Sequence, residues 1–451
     1  MFAERIYRQR RAALAAALAA AGHSGVVLLV GQLDEPYNFG ANPYPFRQDS
    51  SVLYYVGLDE PRLAVLLDIE KSETSLVADS QSEDELVWCT RASPESLQAR
   101  CGADRVISSA EARRQLALLQ DSGASVHLLP SIRAAQSDRT RDLMSSQSLP
   151  EPSIELIRAV VYQREVKTPE EISQIELALK VAAQMHEAAR AACADGMREA
   201  ELVGLMGAVC ARQGARMAYA PICTKDGHVL HHLGHGNAIQ RGQLLLIDAG
   251  AEVASGYASD ITRTHCVGDA WSDTTRFLHD TVRSAQRAAA ATASTGTPMA
   301  DVHRAAARRL VQGLFELDVF RGSVDEVVDR AAYALLFPHG IGHLLGLDVH
   351  DMESLGEDCV GYDGHHKRDA RFGPNHLRLG KPLREGMVIT LEPGLYAMSA
   401  LWRRWQELGT HADLINYEAL ARLGRFGGIR HEDVFLVGGQ GAQLLGPEIL
   451  G

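Results

Sequence analysis

The stretch FPHGIGHLLGLDVHD, residues 337–351, contains three histidines among glycines and leucines. They are His339, His343 and His350, and they are separated by four and then seven residues. A single histidine in such surroundings is most often a packed, hydrogen-bonded core residue. Three of them in a segment too rich in glycine for a stable helix indicate a chemical role. The stretch therefore directs attention to residues elsewhere in the chain that could complete a site with these imidazoles.

Acidic residues within strand-like sequence are the partners that such a site needs. The apolar run LLLIDAG contains Asp248 near its end, and YASDITRTHCV places Asp260 on the expected returning strand. Because a carboxylate is costly to bury without a positive partner, two of them in one apolar hairpin require a cation. The nearby Arg263 cannot pair with both carboxylates, so a metal ion fits better.

Two glutamates repeat this pattern further along the chain. Glu392 ends the strand-like run MVITLE, and Glu432 lies within GGIRHEDVFLV, which predicts a strand. Since side chains alternate between the two faces of a strand, Arg430 shares the face of Glu432. His431 and Asp433 then lie on the opposite face, where we expect structural roles.

Four carboxylates and one imidazole suit a first-row divalent ion such as manganese better than a zinc site built on thiolates. The set carries more negative charge than one divalent ion balances, which favours two metal ions bridged by shared carboxylates. The HExxH motif of mononuclear zinc peptidases is absent from the sequence. Any one of these acids alone would more often be a solvated strand-end residue, so the prediction depends on the complete set.

The composition excludes several other classes of protein. Hydrophobic residues make up 46% and charged residues 23% of the 451 residues, as is typical of soluble globular proteins. The net charge of −12, without a basic stripe, argues against nucleic-acid binding. No apolar run reaches the ~20 residues of a membrane span, and the N-terminal segment predicts an amphipathic helix ending at Gly22. Seven cysteines without a CxxC pair predict reduced thiols in a cytoplasmic protein.

The length predicts two domains, which we place at residues 1–155 and 156–451. The proline-containing segment SQSLPEPS marks the boundary, and TPEE at 168–171 forms a capping box that predicts a long helix at the start of the second domain. In the first domain, helical spacing marks SEDELVWC (82–89) and AEARRQLALL (110–119). Short apolar segments predict strands over 25–31, 51–58, 63–70 and 74–79.

The motifs IDAG, GYASDITRT, HGIGHLLGLDVHD, TLEPGLY and GGIRHEDV, in this order, resemble those of the Xaa-Pro peptidases prolidase and aminopeptidase P. The segment YPFRQDSSVLYYVGLDEP (44–61) resembles the N-terminal part of these enzymes, so the resemblance spans essentially the whole chain. It implies an α/β (α+β) fold, with a small creatinase-like N-terminal domain and a C-terminal pita-bread metallopeptidase domain. It also implies a homodimer.

The resemblance assigns metal ligands residue by residue. They would be Asp248, Asp260, His343, Glu392 and Glu432. The implied cofactor is a pair of divalent ions, with Mn²⁺ favoured; Co²⁺, Zn²⁺ and Fe²⁺ suit the same donors.

The same resemblance assigns catalytic and substrate-binding residues. Glu392 would be the general base, and His350 and His231 would stabilise the transition state. His232, beside His231, is the alternative for the second of these histidines. The residues implied to contact substrate are His339, Arg378, Arg430 and Tyr219, although Arg430 also suits a role in orienting the site carboxylates.

The implied activity is hydrolysis of the Xaa-Pro peptide bond in dipeptides or short peptides. Arg378 matches an arginine that binds the substrate carboxylate in prolidases, and the 40-residue separation of Glu392 from Glu432 resembles a prolidase insertion. These two features predict an Xaa-Pro dipeptidase, with an aminopeptidase P acting on longer peptides as the alternative. A non-catalytic pita-bread binding protein is more remote because all five ligands are present.

Overall fold

The computed structural model describes residues 2–449, which form two compact units. The first unit runs to Arg164 and includes Ser354–Cys359. The second unit comprises Glu165–Glu353 and the chain from Val360 onward. The domain boundary placed between residues 155 and 156 stays a prediction.

The α-helices are numbered in chain order. They are α1 (Glu4–Ala20), α2 (Ser50–Val56), α3 (Glu83–Trp88), α4 (Pro94–Cys101), α5 (Ser109–Asp121), α6 (Ala134–Met144), α7 (Ile154–Arg164), α8 (Pro169–Ala192), α9 (Glu199–Arg212), α10 (Asp273–Thr292), α11 (Met299–Glu316), α12 (Val324–Asp329), α13 (Glu357–Gly361), α14 (Ser399–Leu408) and α15 (Tyr417–Leu423). Among the described residues, no helix combines the length and apolar character that a membrane crossing requires.

The strands are numbered in the same way. They are β1 (Val26–Val30), β2 (Ala64–Asp68), β3 (Thr74–Val77), β4 (Arg105–Ile107), β5 (Val126–Leu128), β6 (Arg216–Met217), β7 (Ile222–Thr224), β8 (Leu244–Asp248), β9 (Ala251–Glu252), β10 (Thr262–Cys266), β11 (Val388–Leu391), β12 (Gly394–Tyr396), β13 (Gly428–Arg430), β14 (Asp433–Gly438) and β15 (Gly441–Leu444).

The first unit is built on a five-stranded mixed sheet in the order β4-β3-β2-β1-β5. The strand β1 is antiparallel to β2 and parallel to β5. All five residues of β1 are buried, which explains why its sequence VVLLV is a continuous apolar run without polar alternation. Leu116 of α5 and Leu143 of α6 pack into the same core as Leu28 of β1.

Residues 51–58, predicted as a strand, form helix α2 instead. The side chain of Asp49 caps this helix by accepting hydrogen bonds from the backbone N–H groups of Ser51 and Val52. Gly57 ends it with a left-handed φ of 65°. Because nearly every residue of α2 is buried, its apolar residues show no helical periodicity that would distinguish it from a strand. The predicted strands at 25–31, 63–70 and 74–79 are confirmed.

The second unit brings distant parts of the chain together through two three-stranded sheets, β10-β8-β7 and β11-β14-β15. Asp248 lies opposite Thr262 in the β8–β10 pair, and Thr262 forms an isolated bridge with Glu432. Leu391, which precedes Glu392, lies opposite Asp433 in the β11–β14 pair. This pairing brings four chain segments together, namely those that contain Asp248, Thr262, Leu391 and Glu432.

Helix α8 opens this unit as predicted. Thr168 and Glu171 form the expected capping box, with the Thr168 side chain accepting from the Glu171 N–H and the Glu171 side chain accepting from the Thr168 N–H. Met185 of α8 and Leu202 of α9 are fully buried in one core with Leu245 of β8. The strand that ends at Asp248 is therefore fixed from behind by apolar packing.

Candidate metal centre and active site

The glycine-rich stretch that contains the three histidines lies against strand β11. A Cβ atom at Gly342 would stand 1.9 Å from the carbonyl oxygen of Thr390, so only glycine permits this approach. The backbone N–H of His343 donates to Thr390 Oγ1 at 3.1 Å, and the Thr390 N–H donates back to the His343 carbonyl at 2.9 Å. The glycines thus fix His343 beside the end of β11, where Glu392 follows.

Three of the five predicted ligands have potential metal-ligating atoms that lie close together. One donor atom from each of Asp260, His343 and Glu432 lies within 4.8 Å of the other two. This spacing approaches the roughly 3–4.4 Å that separates ligand atoms around one ion with bonds of about 2.0–2.2 Å. His343 Nε2 lies 3.4 Å from Asp260 Oδ2 and 3.7 Å from Glu392 Oε1. Glu392 therefore belongs to the same cluster.

Asp248 joins the cluster through Tyr219. The Tyr219 hydroxyl lies 2.6 Å from Asp248 Oδ1 and 2.5 Å from Asp260 Oδ1. A hydroxyl has one proton, so it can donate to only one of these two carboxylates. The Tyr219 hydroxyl is engaged by these two aspartates, and the assignment of Tyr219 to substrate contact stays a prediction.

Arg430 provides fixed positive charge beside the cluster. Its Nη2 donates to Asp248 Oδ2 at 2.5 Å, and its Nε lies 4.0 Å from Glu432 Oε2 and donates to Thr262 Oγ1 at 3.1 Å. The Thr262 hydroxyl in turn donates to Glu432 Oε2 at 2.6 Å. Arg430 is 5% exposed, and these contacts accord with the predicted role in orienting the site carboxylates. Its assignment to substrate contact stays a prediction.

The electrostatics of the cluster show an excess of negative charge. Burial raises the pKa of Glu392 to about 7, against the opposing effect of His343 and Arg430. The pKa of Glu432 lies well above its usual range because of burial and, next, the charge of Asp260. Although burial lowers the pKa of His343, its hydrogen bond to Asp260 and the charge of Glu392 bring it to about 9.

These side chains fit divalent cations. The four carboxylates lie beside His343 and Arg430, and the single proton of the Tyr219 hydroxyl can be donated to only one of Asp248 and Asp260. Hard oxygen donors with a single imidazole are the ligand type that first-row divalent ions accept. Such cations would replace the protons that the carboxylates otherwise retain.

The third histidine of the stretch, His350, stacks on His343. Their ring centroids are 3.9 Å apart and the ring planes differ by 13°. His350 Nδ1 lies 3.1 Å from Glu353 Oε2, and Arg378 Nη1 donates to the same oxygen at 2.7 Å. His350 is thus held in place by an acidic residue whose charge is also matched by Arg378.

The first histidine, His339, has a different environment. Its Nε2 lies 2.7 Å from the Tyr396 hydroxyl, and its Nδ1 is 3.7 Å from Glu392 Oε2. Burial, reinforced by the charge of Arg430, lowers the pKa of His339 to about 3. The ring is therefore neutral at physiological pH.

A cavity of about 750 Å³ opens over the cluster. All five predicted ligands line it, together with His231, His339, His350, Arg378, Tyr219 and Arg430. The alternative residue, His232, is not among the lining residues. Apolar side chains complete the wall: Ile222, Leu230, Leu233, Val349, Phe372 and Met398.

His431 and Asp433 lie on the other side of the strand, as side-chain alternation predicts. Asp433 Oδ1 accepts from Arg263 Nη2 at 2.5 Å, and Gln286 Nε2 donates to Asp433 Oδ2 at 3.0 Å. His431 Nε2 is 3.4 Å from Asp433 Oδ2. Arg263 thus pairs with Asp433 instead of the metal-site aspartates.

Two details of the predicted strands are wrong. The sequence predicts Asp260 on the returning strand, but β10 begins at Thr262. It predicts Glu432 inside a strand, yet β13 ends at Arg430 and β14 begins at Asp433. Asp260 and Glu432 therefore lie just outside the hydrogen-bonded strands, next to the strand ends.

Sequence reasoning missed Thr262, Tyr396 and Glu353. Each contacts a predicted site residue, through Glu432, His339 and His350 respectively. Thr262 and Tyr396 stand within the motifs SDITRT and TLEPGLY, which provide a local signal. Glu353 follows DVHD by two residues, and its sequence surroundings provide none.

Two known protein families match different parts of the chain. Residues 173–438 match the model described as metallopeptidase family M24, and residues 7–127 match the aminopeptidase P N-terminal domain. The chain belongs to metallopeptidase family M24. It is an Xaa-Pro metallopeptidase of the aminopeptidase P type, as the resemblance implied, and its fold is the predicted α/β domain followed by a pita-bread domain.

Individual M24 relatives cover most of the chain. A probable Xaa-Pro aminopeptidase of Tuber melanosporum is 31% identical over 420 residues, covering 92% of this chain and 87% of that protein. The probable Xaa-Pro aminopeptidase pepP of Aspergillus fumigatus is 30% identical over 427 residues, covering 92% and 88%.

Solved aminopeptidase P structures are also similar to this chain over almost its whole length. Aminopeptidase P from Escherichia coli with the inhibitor Pro-Leu has a TM-score of 0.79 at 27% identity, covering 99% of this chain and 95% of that one. Proline aminopeptidase P II from Yersinia pestis has a TM-score of 0.78 at 26% identity, covering 98% and 96%. These M24 proteins support the aminopeptidase alternative better than the dipeptidase that the sequence favoured, so that preference is corrected.

Proposed function

We propose that this chain is an Xaa-Pro aminopeptidase that removes the first residue from peptides with proline at the second position. The observation that carries the proposal is the meeting of the five predicted ligands in one cavity with room for a short peptide. The similarity to proteins named Xaa-Pro aminopeptidase over about nine tenths of the chain supports the subtype.

We propose further that Asp248, Asp260, His343, Glu392 and Glu432 hold two divalent ions, with Mn²⁺ as the favoured metal. Bound ions of this kind lower the pKa of a water molecule and polarise the scissile carbonyl. The supporting geometry is the cluster of Asp260, His343 and Glu432, which Glu392 and Asp248 extend on either side.

Glu392 would act as the general base. Its carboxylate lies 3.7 Å from His343 Nε2 within the cluster, where it could take a proton from water and later return one to the leaving nitrogen. Its Oε2 faces His339 Nδ1 at 3.7 Å, and that neutral ring leaves the carboxylate basic.

His350 and His231 would donate hydrogen bonds to the developing negative charge. The Glu353 carboxylate at 3.1 Å from His350 Nδ1 orients the ring, and its charge opposes the lowering of the His350 pKa by burial and by His343. His231 lines the same cavity. The apolar wall beside it would receive the prolyl ring, since an Xaa-Pro bond has no N–H for recognition by backbone pairing.

The environment of Arg378 supports an aminopeptidase. A dipeptidase needs a cation for the free carboxylate of its product-side residue. The guanidinium of Arg378 already donates to Glu353 at 2.7 Å. A dipeptide carboxylate would have to compete with this ion pair, whereas a longer peptide has an uncharged peptide bond at that place.

A peptide panel tests the proposal. Metal-free protein is supplied with Mn²⁺ and assayed on Ala-Pro-Ala-Ala, Ala-Ala-Ala-Ala and the dipeptide Ala-Pro, with the Glu392→Gln variant as the matched control. We expect release of alanine from Ala-Pro-Ala-Ala only, and loss of that release in the variant. Preferential cleavage of Ala-Pro would restore the dipeptidase, and cleavage of no peptide would contradict the proposed function.

The homodimer and the cytoplasmic location stay predictions. Sedimentation analysis of the purified protein tests the first, since a dimer has twice the 49.0 kDa mass of the chain.

A further inference from the structure

A second large cavity in the same unit differs in charge from the metal-site cavity. Its volume is about 750 Å³. Four of the residues that line it are basic or carry an imidazole: Lys225, His228, Arg403 and Arg425. We call it the basic pocket. Its arginines come from α14 and from the segment after α15, which lie between Glu392 and Glu432 in the chain.

The positive charge of the basic pocket is only partly balanced. Its one acidic lining residue is Asp226, whose Oδ1 is 3.6 Å from Lys225 Nζ and whose Oδ2 accepts from Asn237. Within residues 2–449, neither Arg403 nor Arg425 has an ion pair, and both are exposed. Two solvated guanidinium groups therefore face a cavity without a carboxylate of their own.

The basic pocket adjoins the metal-site cavity. Met398 lines both cavities. The chain segment after β7 also passes from one to the other, because Val229 lines the basic pocket and the next residue, Leu230, lines the metal-site cavity. The two cavities therefore share a wall formed by Met398 and residues 229–230.

We propose that the basic pocket binds a carboxylate of the peptide substrate, located downstream of the proline. Arginine suits this ligand because its planar guanidinium can donate to both carboxylate oxygens. The inference rests on the proposed function and adds to it a preference for peptides that carry a carboxylate at one position downstream of the proline. The carboxylate is either an Asp or Glu side chain or the C-terminus of the peptide, and both sources share this chemistry.

The test compares peptides that carry one negative charge at successive positions. Hexapeptide amides Ala-Pro-Ala-Ala-Ala-Ala carry a single Glu at position three, four, five or six, and each is compared with the isosteric Gln peptide. Each extended residue adds about 3.3–3.6 Å of reach, so the carboxylate enters the pocket at one position. Peptides that end at that position, as free acid or as amide, then distinguish a terminal carboxylate from a side-chain carboxylate.

We expect KM for the Glu peptide to be about five- to twentyfold lower than KM for the Gln peptide at one position, since each exposed ion pair changes binding by roughly two- to fivefold. Raising the salt concentration should bring this ratio towards one. In the double variant Arg403→Gln/Arg425→Gln the ratio should fall to about one. The control Arg404→Gln, an exposed arginine on the same helix that does not line the pocket, should retain it.

Two results would overturn the inference while leaving the proposed function intact. One is equal KM for Glu and Gln peptides at every position in the unaltered protein. The other is a Glu preference that persists in the double variant. Cleavage of none of the hexapeptides would instead overturn the proposed function, and the inference with it.

Discussion

Replacing Arg430 by methionine should destabilise the metal-free protein strongly. Methionine keeps a long, unbranched side chain but has no hydrogen-bond donors. The change removes the 2.5 Å ion pair with Asp248 and the 3.1 Å hydrogen bonds to Thr262 and to the Tyr396 hydroxyl. The side chains of Arg430 and Asp248 are only 6% and 12% exposed, so solvent cannot replace the lost partner.

The expected magnitude follows from that burial. Removing one partner of a buried ion pair costs about 3–5 kcal/mol in the free energy of unfolding, because an unpaired charge remains. In the variant the pKa of Asp248 should rise further, since burial already raises it and Arg430 opposes that rise. A carboxyl with a raised pKa in the folded state loses stability as pH increases through that pKa. The cost should therefore be larger at pH 8 than at pH 5.

Urea unfolding in the presence of a chelator measures this effect, with Arg404→Met as the matched control because Arg404 is exposed. The Arg430→Met protein should unfold at a clearly lower urea concentration than the control. Saturating Mn²⁺ should reduce the difference, because bound cations provide charge that Asp248 has lost. Identical unfolding midpoints for the two variants would refute the reasoning about Arg430.

Three further predictions concern the surroundings of the site. Tyr219→Phe should weaken Mn²⁺ binding by about 10–100-fold in calorimetry, because both aspartates lose the hydroxyl that orients them; unchanged affinity would contradict this role. Glu353→Gln should lower kcat/KM on Ala-Pro-Ala-Ala by about tenfold or more without loss of bound metal, since His350 loses its acidic partner; full activity would argue against that contact. Burial holds the pKa of His186, His279 and His303 at about 4. These histidines bind protons near pH 6.5 only when unfolded, so each should remove up to about 2 kcal/mol of stability between pH 6.5 and 5. Equal urea midpoints at pH 7.5 and pH 5 would exclude the effect.

The proposed metal ligands can be recognised in the sequence because their local surroundings conflict with their residue type. Asp248 and Glu392 end apolar strand-like runs, where an acid is unfavourable unless it has a cation. Such a conflict is visible without a structure. The order of the motifs then indicates the fold, and the comparisons confirm it.

The contacts that hold these ligands are less accessible to sequence reasoning. Glu353 and Arg378 are separated by 25 residues, and nothing local shows that they share an ion pair. Without that contact, Arg378 resembles a carboxylate receptor, which favours a dipeptidase. The long segment between Glu392 and Glu432 also favours a dipeptidase when only the sequence is considered. In the structure, two of its arginines line the basic pocket.

Helix α2 shows why secondary structure can be mispredicted from a short apolar segment. Its capping residue Asp49 and terminal Gly57 are present in the sequence, but the helix is seven residues long and almost entirely buried. A short segment without a polar face gives the same apolar pattern as a central strand. The caps are therefore the local information that distinguishes the two.

Titration of the metal-free protein with Mn²⁺, compared with Asp260→Asn, tests the central claim most directly. Asp260 contacts both His343 and Tyr219 within the cluster. The unaltered chain should bind two equivalents of Mn²⁺, and the variant should lose high-affinity binding while remaining folded. Failure of the unaltered chain to bind Mn²⁺, or equal binding by the variant, would contradict the assignment of these side chains as a metal centre.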